Sequence, residues 1–319
     1  MEFGVHLPLA DLGQGLPTLE ELHVYTATAA RLGFDMVSAN DHIVWKRPWL
    51  DGVTTLASVI GSAGEMALAT SVALPAIRHP VVLAKALANL GVLCNGPVIA
   101  GLGPGSSPED YRAVGLPFEQ RWARFDESLR LVRALLRGEA ATDGEYYQVG
   151  GLKLDPLPPR PPQVWFGSWG SDIRLQKMAA AADGWLASAY NTTPDHFADA
   201  RGRLDAHLVA LGRDPARFPD TLATAWMYVT HREDQAAQII ESMLAPLLGR
   251  EPDQLARQLP IGSPGHCVDL LNAYAAAGTA RILLWPVADP IRQLEVFTEE
   301  VRPHIAQSPP DGGLRRHHS

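Results

Sequence analysis

Cysteine is scarce in this chain: Cys94 and Cys267 are the two among 319 residues, far apart and in no CxxC spacing. That excludes a disulfide framework and a thiolate zinc site. Charged residues are also few, at 19%, which excludes a disordered polyelectrolyte. The charges sum to −8, without the clustered lysine and arginine that phosphate backbones require, so no nucleic-acid partner is expected. No stretch reaches the roughly 18 uninterrupted apolar residues of a membrane span. The opening MEFGVHLPLA lacks the basic start and long apolar stretch of a signal peptide. These absences leave a soluble, cytoplasmic protein with a small-molecule partner and no membrane contact as the expectation.

What is present is a substantial apolar content, 46%, arranged as short apolar runs alternating with longer amphipathic ones. Strands are expected at residues 3–7, 36–39, 66–74, 98–102, 164–167, 184–187, 221–229 and 281–285. Helices are expected between them, the first over 19–32 behind Thr18 as cap and Glu21 as its capping-box partner. Ser263 is placed to cap another helix over 265–277, and 146–154 reads as a small inserted hairpin. Eight strands over about 300 residues fit an α/β fold, a (β/α)8 TIM barrel with small insertions, spanning 1–308 and followed by a loose tail at 309–319. An open doubly wound sheet is the main rival, but no GxGxxG follows its first strand.

In such a barrel, function sits on the loops that leave the C-terminal ends of the strands. Those positions hold His6, the run Asn40-Asp41-His42, a Gly-rich turn Gly101-Leu102-Gly103-Pro104-Gly105-Ser106, and Gly167-Ser168-Trp169-Gly170-Ser171. Glycine at a strand exit lets backbone approach a planar ring or phosphate, or simply makes a tight turn. A Gly/Ser-rich exit pointing at a helix start is a ready anion site, or simply an N-cap. Asp41 and His42 are the candidate acid/base pair, since imidazole titrates near neutrality. Trp45, Trp49, Trp226 and Trp285 fall at or near strand exits and suggest an apolar pocket for a flat ligand, against a default of packing. His6, His42 and His79 make no recognisable ligand set, so no metal is expected. No G-x-S-x-G elbow supports a hydrolase.

Five segments carry a family resemblance: GFDMVSANDHIVW (33–45), TSVALPAIRHPVVLAKALANLGVLCNGPVIAGLGPG (70–105), LPFEQRWARFDESLRLVRALL (116–136), PPQVWFGSWGSDIRLQKMAAAADGWL (161–186) and IGSPGHCVDLLNAYAAAG (261–278). In order and spacing the chain resembles the bacterial luciferase-like family of flavin- and coenzyme F-420 (F420)-dependent oxidoreductases, from residue 3 to 301. The resemblance implies that His42 lies beside the cofactor ring, with His6 among the cofactor contacts. It implies a non-proline cis peptide at Ser71-Val72 backing the ring, Gly103, Pro104, Gly105 and Ser106 beneath ring and side chain, and Gly167, Ser168, Gly170 and Ser171 on phosphate. Some sugar-phosphate dehydrogenases of this kind place a proton-donating Glu where this chain has Ser106, so their activity is not carried over. Glu109 and Asp110 stand nearby, where acidic residues ordinarily complement a helix dipole.

The expected activity is hydride transfer between coenzyme F-420 and a small organic substrate. An FMN-dependent monooxygenase and a luciferase-like barrel that has lost catalysis are the alternatives. Trp45, Trp49, Trp226 and Trp285 are the expected pocket, and the family habit implies a homodimer.

Overall fold

Nine short apolar runs form strands because β-structure lets them bury both faces: β1 Glu2–His6, β2 Met36–Ala39, β3 Ala67–Thr70, β4 Val98–Leu102, β5 Gln163–Gly167, β6 Gly184–Ser188, β7 Asp220–Val229, β8 Ile261–Gly262 and β9 Arg281–Pro286. This computed structural model describes residues 1–306, so the tail expected at 309–319 lies outside the described residues. The architecture is the (β/α)8 barrel: a closed, eight-stranded parallel sheet ringed by helices, with the two-residue β8 as an extra.

The chain divides into two compact units, Met1–His6 with the segment from Ser168 onward, and Leu7–Gly167. Within Leu7–Gly167, β2 pairs parallel with β3 from Met36↔Ala67 to Ala39↔Thr70, and β4 with β5 from Ile99↔Gln163 to Leu102↔Phe166. The first helix, Leu19–Arg31, starts as its sequence dictates: Thr18 Oγ1 accepts from the Glu21 amide (3.2 Å), and Glu21 accepts from the Thr18 amide (2.7 Å). Within the other unit, β1 pairs with β9, β9 with β7, and β7 with β6. Ser263 caps the helix Pro264–Ala276 by accepting from the His266 amide (3.2 Å).

Two expectations fail for local reasons. The hairpin at 146–154 is absent, because side chains take the amides a ladder would use. Buried Glu127 accepts from the amides of Glu145, Tyr146 and Tyr147, and Asp143 accepts from those of Val149 and Gly150. The strand expected over 66–74 ends at Thr70, and the backbone beyond it continues through a cis Ser71–Val72 peptide. The helix that Glu109 and Asp110 start is short, Pro108–Ala113, and begins at Ser107, whose hydroxyl accepts from the Asp110 amide (3.4 Å). That short helix decides much of the site.

Candidate active site

The loop leaving β2 begins with a buried ion pair. Asp41 accepts from Arg78 Nε (2.5 Å) and Nη2 (2.6 Å), so both carboxylate oxygens are engaged by the planar guanidinium. Arg78 also donates to Asp51, whose other oxygen caps the helix Gly52–Ser58 by accepting from the Thr54 amide (2.7 Å). Burial by itself would lower the Arg78 pKa, but hydrogen bonds and charge from Asp41 and Asp51 outweigh it and push it up. Burial likewise works against ionised Asp51, yet the Thr54 amide and Arg78 hold its pKa below the ordinary value. This arrangement corrects the acid/base role expected of Asp41. Both its oxygens are engaged by Arg78, Oδ2 also accepts from the Leu74 amide (3.3 Å), and these bonds fix the chain that carries the next residue. Arg78, expected on solvated surface, is the clamp.

That next residue is His42. Its Nδ1 lies 2.8 Å from Asp110 Oδ2, and the other Asp110 oxygen accepts from the amides of Ile43 (2.7 Å) and Val44 (2.8 Å). Asp110 is only 1% exposed, and as an ionised acceptor it requires the proton on Nδ1. Nε2 is then the basic nitrogen of the neutral ring. Sequence reasoning set Asp110 aside as a dipole partner because it stands at the start of a helix; 68 residues separate it from His42, and no local signal joins them. Trp45 lies against the His42 ring at 4.0 Å, and Trp49 meets it edge-on at 4.9 Å. An antiparallel bridge between Ala10 and Trp49 fastens this loop, with the Leu50 amide donating to the Leu9 carbonyl (2.9 Å). The structure thus brings together His42, Trp45 and Trp49, and adds Asp110.

After β3 the backbone is sewn to its neighbours: the Ser71 amide donates to Ala39 O (2.8 Å), Ala73 to Gly101 O (2.8 Å) and Gly103 to Ala73 O (3.0 Å). A Cβ on Gly103 would fall 2.6 Å from Val72 Cγ2, and one on Gly167 would fall 2.7 Å from Val72 Cγ1. These two glycines therefore make room for Val72, which is a different requirement from the close ring approach inferred from sequence. Gly105 has φ +78°, Ser106 is exposed, and Pro104 O accepts from the Tyr111 hydroxyl (2.5 Å).

In the unit beginning at Ser168, the loop at 168–171 is held from behind. Ser168 O accepts from Trp185 Nε1 (3.1 Å), Ser168 Oγ from the Gly170 amide (3.2 Å), and Gly170 O from Arg203 Nη2 (3.1 Å). The helix Asp172–Ala181 follows at once, and its N-cap Ser171 makes no side-chain capping bond. Asp172, in its first turn, is matched by His207 Nε2 at 3.1 Å and Arg203 at 3.8 Å.

His6, Trp285 and Trp226 are placed otherwise than expected. His6 stacks on Trp285 at 3.5 Å, and Trp285 on Trp226 at 3.8 Å, with planes within 14°. Their exposures are 0%, 1% and 2%, so they are packing between strands β1, β9 and β7 and present no open face to cofactor or substrate. Among the described residues no three His, Cys, Asp or Glu side chains come together to hold a metal ion, and no helix is long and apolar enough to cross a membrane.

A planar, polar-edged ring system suits what remains. Ser71 Oγ and Trp45 Nε1 are buried without a hydrogen-bond partner, an arrangement costly unless a ligand completes it. The uncapped helix start at Ser171 suits an anionic substituent. Ser71 and Trp45 fit the polar edge of a flavin-like ring, and the helix start at Ser171, taken by itself, fits a phosphate.

The fold and these residues define a barrel oxidoreductase. The sequence pattern of the luciferase-like monooxygenases matches residues 1–249, and the chain belongs to that family. It is 27% identical over 313 residues to the F420-dependent hydroxymycolic acid dehydrogenase of Mycobacterium tuberculosis, covering 90% of this chain and 84% of that one. It is 28% identical over 328 residues to the F420-dependent glucose-6-phosphate dehydrogenase of Beutenbergia cavernae, covering 89% and 93%. In structure it resembles an F420-dependent secondary alcohol dehydrogenase solved with an F420-acetone adduct, with a TM-score of 0.82 at 15% identity over 96% of this chain and 99% of that one.

Proposed function

We propose that this enzyme uses coenzyme F-420 to oxidise or reduce a small organic substrate at a carbon–oxygen bond, with His42 handling the substrate proton. The observation that carries the reading is the His42–Asp110 contact at 2.8 Å. A histidine oriented by a buried carboxylate presents a base at one fixed atom, Nε2. Coenzyme F-420, when bound, supplies hydride chemistry, two electrons moving together with one hydrogen nucleus. In the alcohol-to-carbonyl direction, His42 Nε2 takes the hydroxyl proton; in the reverse direction the imidazolium returns it. Trp45 and Trp49 pack around the imidazole and keep it in place. Ser71 and Trp45 offer the buried donors, and Gly167, Ser168, Gly170 and Ser171 the anion loop, that would hold the cofactor. The F420-dependent relatives support this choice over FMN.

Fluorescence titration of the purified protein with each cofactor checks the assignment. Saturable binding of F-420 with at least tenfold weaker binding of FMN is expected. Tight FMN binding without response to F-420 would replace the reading with a flavin monooxygenase, and binding of neither would point to a barrel without catalysis.

A further inference from the structure

Where β6 ends, a chain of polar side chains begins at an arginine that has no acidic partner among the described residues. Thr224 Oγ1 donates to Ala223 O (2.7 Å), which uses its only proton. In the Ser188–Thr224 pair (3.1 Å) the donor is therefore Ser188. Ser188 Oγ accepts from Asn191 Nδ2 (3.0 Å), and Asn191 Oδ1 accepts from Arg250 Nη2 (2.7 Å). Each donor thus points away from Arg250, and the chain ends on a neutral backbone carbonyl. Arg250 also donates to Gly249 O (3.2 Å), and among the described residues it has no carboxylate partner. The Tyr190 hydroxyl lies with Asn191 and Ser188, and burial raises its pKa, so it adds no negative charge there.

The backbone here departs from regular strand. Thr224 has φ +56°, a left-handed conformation that β-branched residues rarely adopt. It coincides with a register shift between Leu222 and Ala225 where β7 meets β9. Ser188 is the last residue of β6 and is paired with Ala223, which puts the cluster level with the C-terminal end of that strand. Strain of this kind persists where surrounding structure enforces it and gathers at ligand sites. A half-buried guanidinium with two of its five donors used, all on neutral acceptors, is an incomplete anion site.

We propose that Arg250, oriented by the Asn191–Ser188–Thr224 chain, binds an anionic group of the substrate, a carboxylate or a phosphate. The proposal rests on the oxidoreductase reading for the word substrate, and it gives that substrate a charged handle. Arginine favours either group because its planar fork matches two oxygens at once. Asn191 fixes the fork, and the hydroxyl chain fixes Asn191.

The test is calorimetric titration of the cofactor-free full-length protein with benzoate, phenyl phosphate and neutral benzamide. Saturable binding of one or both anions is expected, with the stronger identifying the handle, and at least tenfold weaker binding of benzamide. Arg250→Gln should weaken that anion at least tenfold. Asn191→Asp, which supplies Arg250 with an internal carboxylate, should do the same without removing the cation. Arg250→Lys should keep part of the affinity and guards against a folding defect in the first variant. All three variants should bind cofactor like the wild type, which separates this site from the cofactor assignment. No anion binding by the wild type, or binding unchanged in both Arg250→Gln and Asn191→Asp, would overturn the proposal.

Discussion

Asp110→Asn is expected to lower kcat by about 10²–10³-fold while leaving cofactor affinity nearly unchanged. General acid–base catalysis contributes on the order of 10²–10⁴ in rate, and the variant retains the imidazole while losing the group that sets its tautomer. With the Asn oxygen facing the Ile43 and Val44 amides, its NH2 faces Nδ1 and donates to it, so the ring proton is displaced to Nε2. The Ile43 and Val44 amides still find an acceptor in the Asn oxygen, which limits structural damage. Asp110 touches His42 and acts through it, so the variant needs a readout that a merely structural role would not move. Nitrogen NMR of the His42 ring should show Nδ1–H as the dominant neutral tautomer in the wild type and Nε2–H in Asp110→Asn. His42→Ala should be at least as slow as Asp110→Asn, and adding Asp110→Asn to it should cost little more. Independent, multiplying effects would show that Asp110 does not act through His42.

Asp41→Ala is expected to be the most destabilising single change at the site, by about 3 kcal/mol, because removing one partner of a buried pair leaves the other charge uncompensated. The Asp41 side chain is 2% exposed and Arg78 19%; the remaining bond to Asp51 keeps the loss near the lower end of the usual range. Replacing both partners, Asp41→Leu with Arg78→Met, should recover part of that loss, since apolar substitution of a buried pair is often close to neutral. Urea unfolding measures both. The experiment also separates two roles for Asp41. If it carried the proton, Asp41→Asn would abolish turnover with the denaturation midpoint unchanged. The bidentate clamp predicts the opposite order: a lowered midpoint, with residual turnover tracking how well His42 is still held.

Much of the barrel was legible because its signals are local. The Thr18–Glu21 capping box, the Ser263 cap and the continuous apolar runs each act within a few residues, and the elements they mark appear, with the run at 66–74 stopping short at Thr70. The strand exits could also be named in advance, since the fold assigns function to them. What the sequence did not disclose is long-range. Asp110 is a helix-start acid by its neighbours and a histidine partner only through the return of β4 beside β3. Trp285 and Trp226 look like pocket walls until parallel pairing stacks them with His6. Gly103 and Gly167 read as openings for a ligand, and what fills the space is Val72. Thr224 carries no residue-type signal, because its left-handed backbone comes from a register shift in pairing.

The central claim is hydride chemistry with coenzyme F-420, carried by a histidine whose proton is placed by a buried aspartate. Turnover measured with and without oxygen tests it most directly, using a panel of secondary alcohols with and without a carboxylate or phosphate group and each cofactor in turn. The account predicts loss of the oxidised F-420 absorbance at the same rate under both atmospheres, and slowing in Asp110→Asn. Turnover that requires FMN and consumes oxygen in step with product would contradict it.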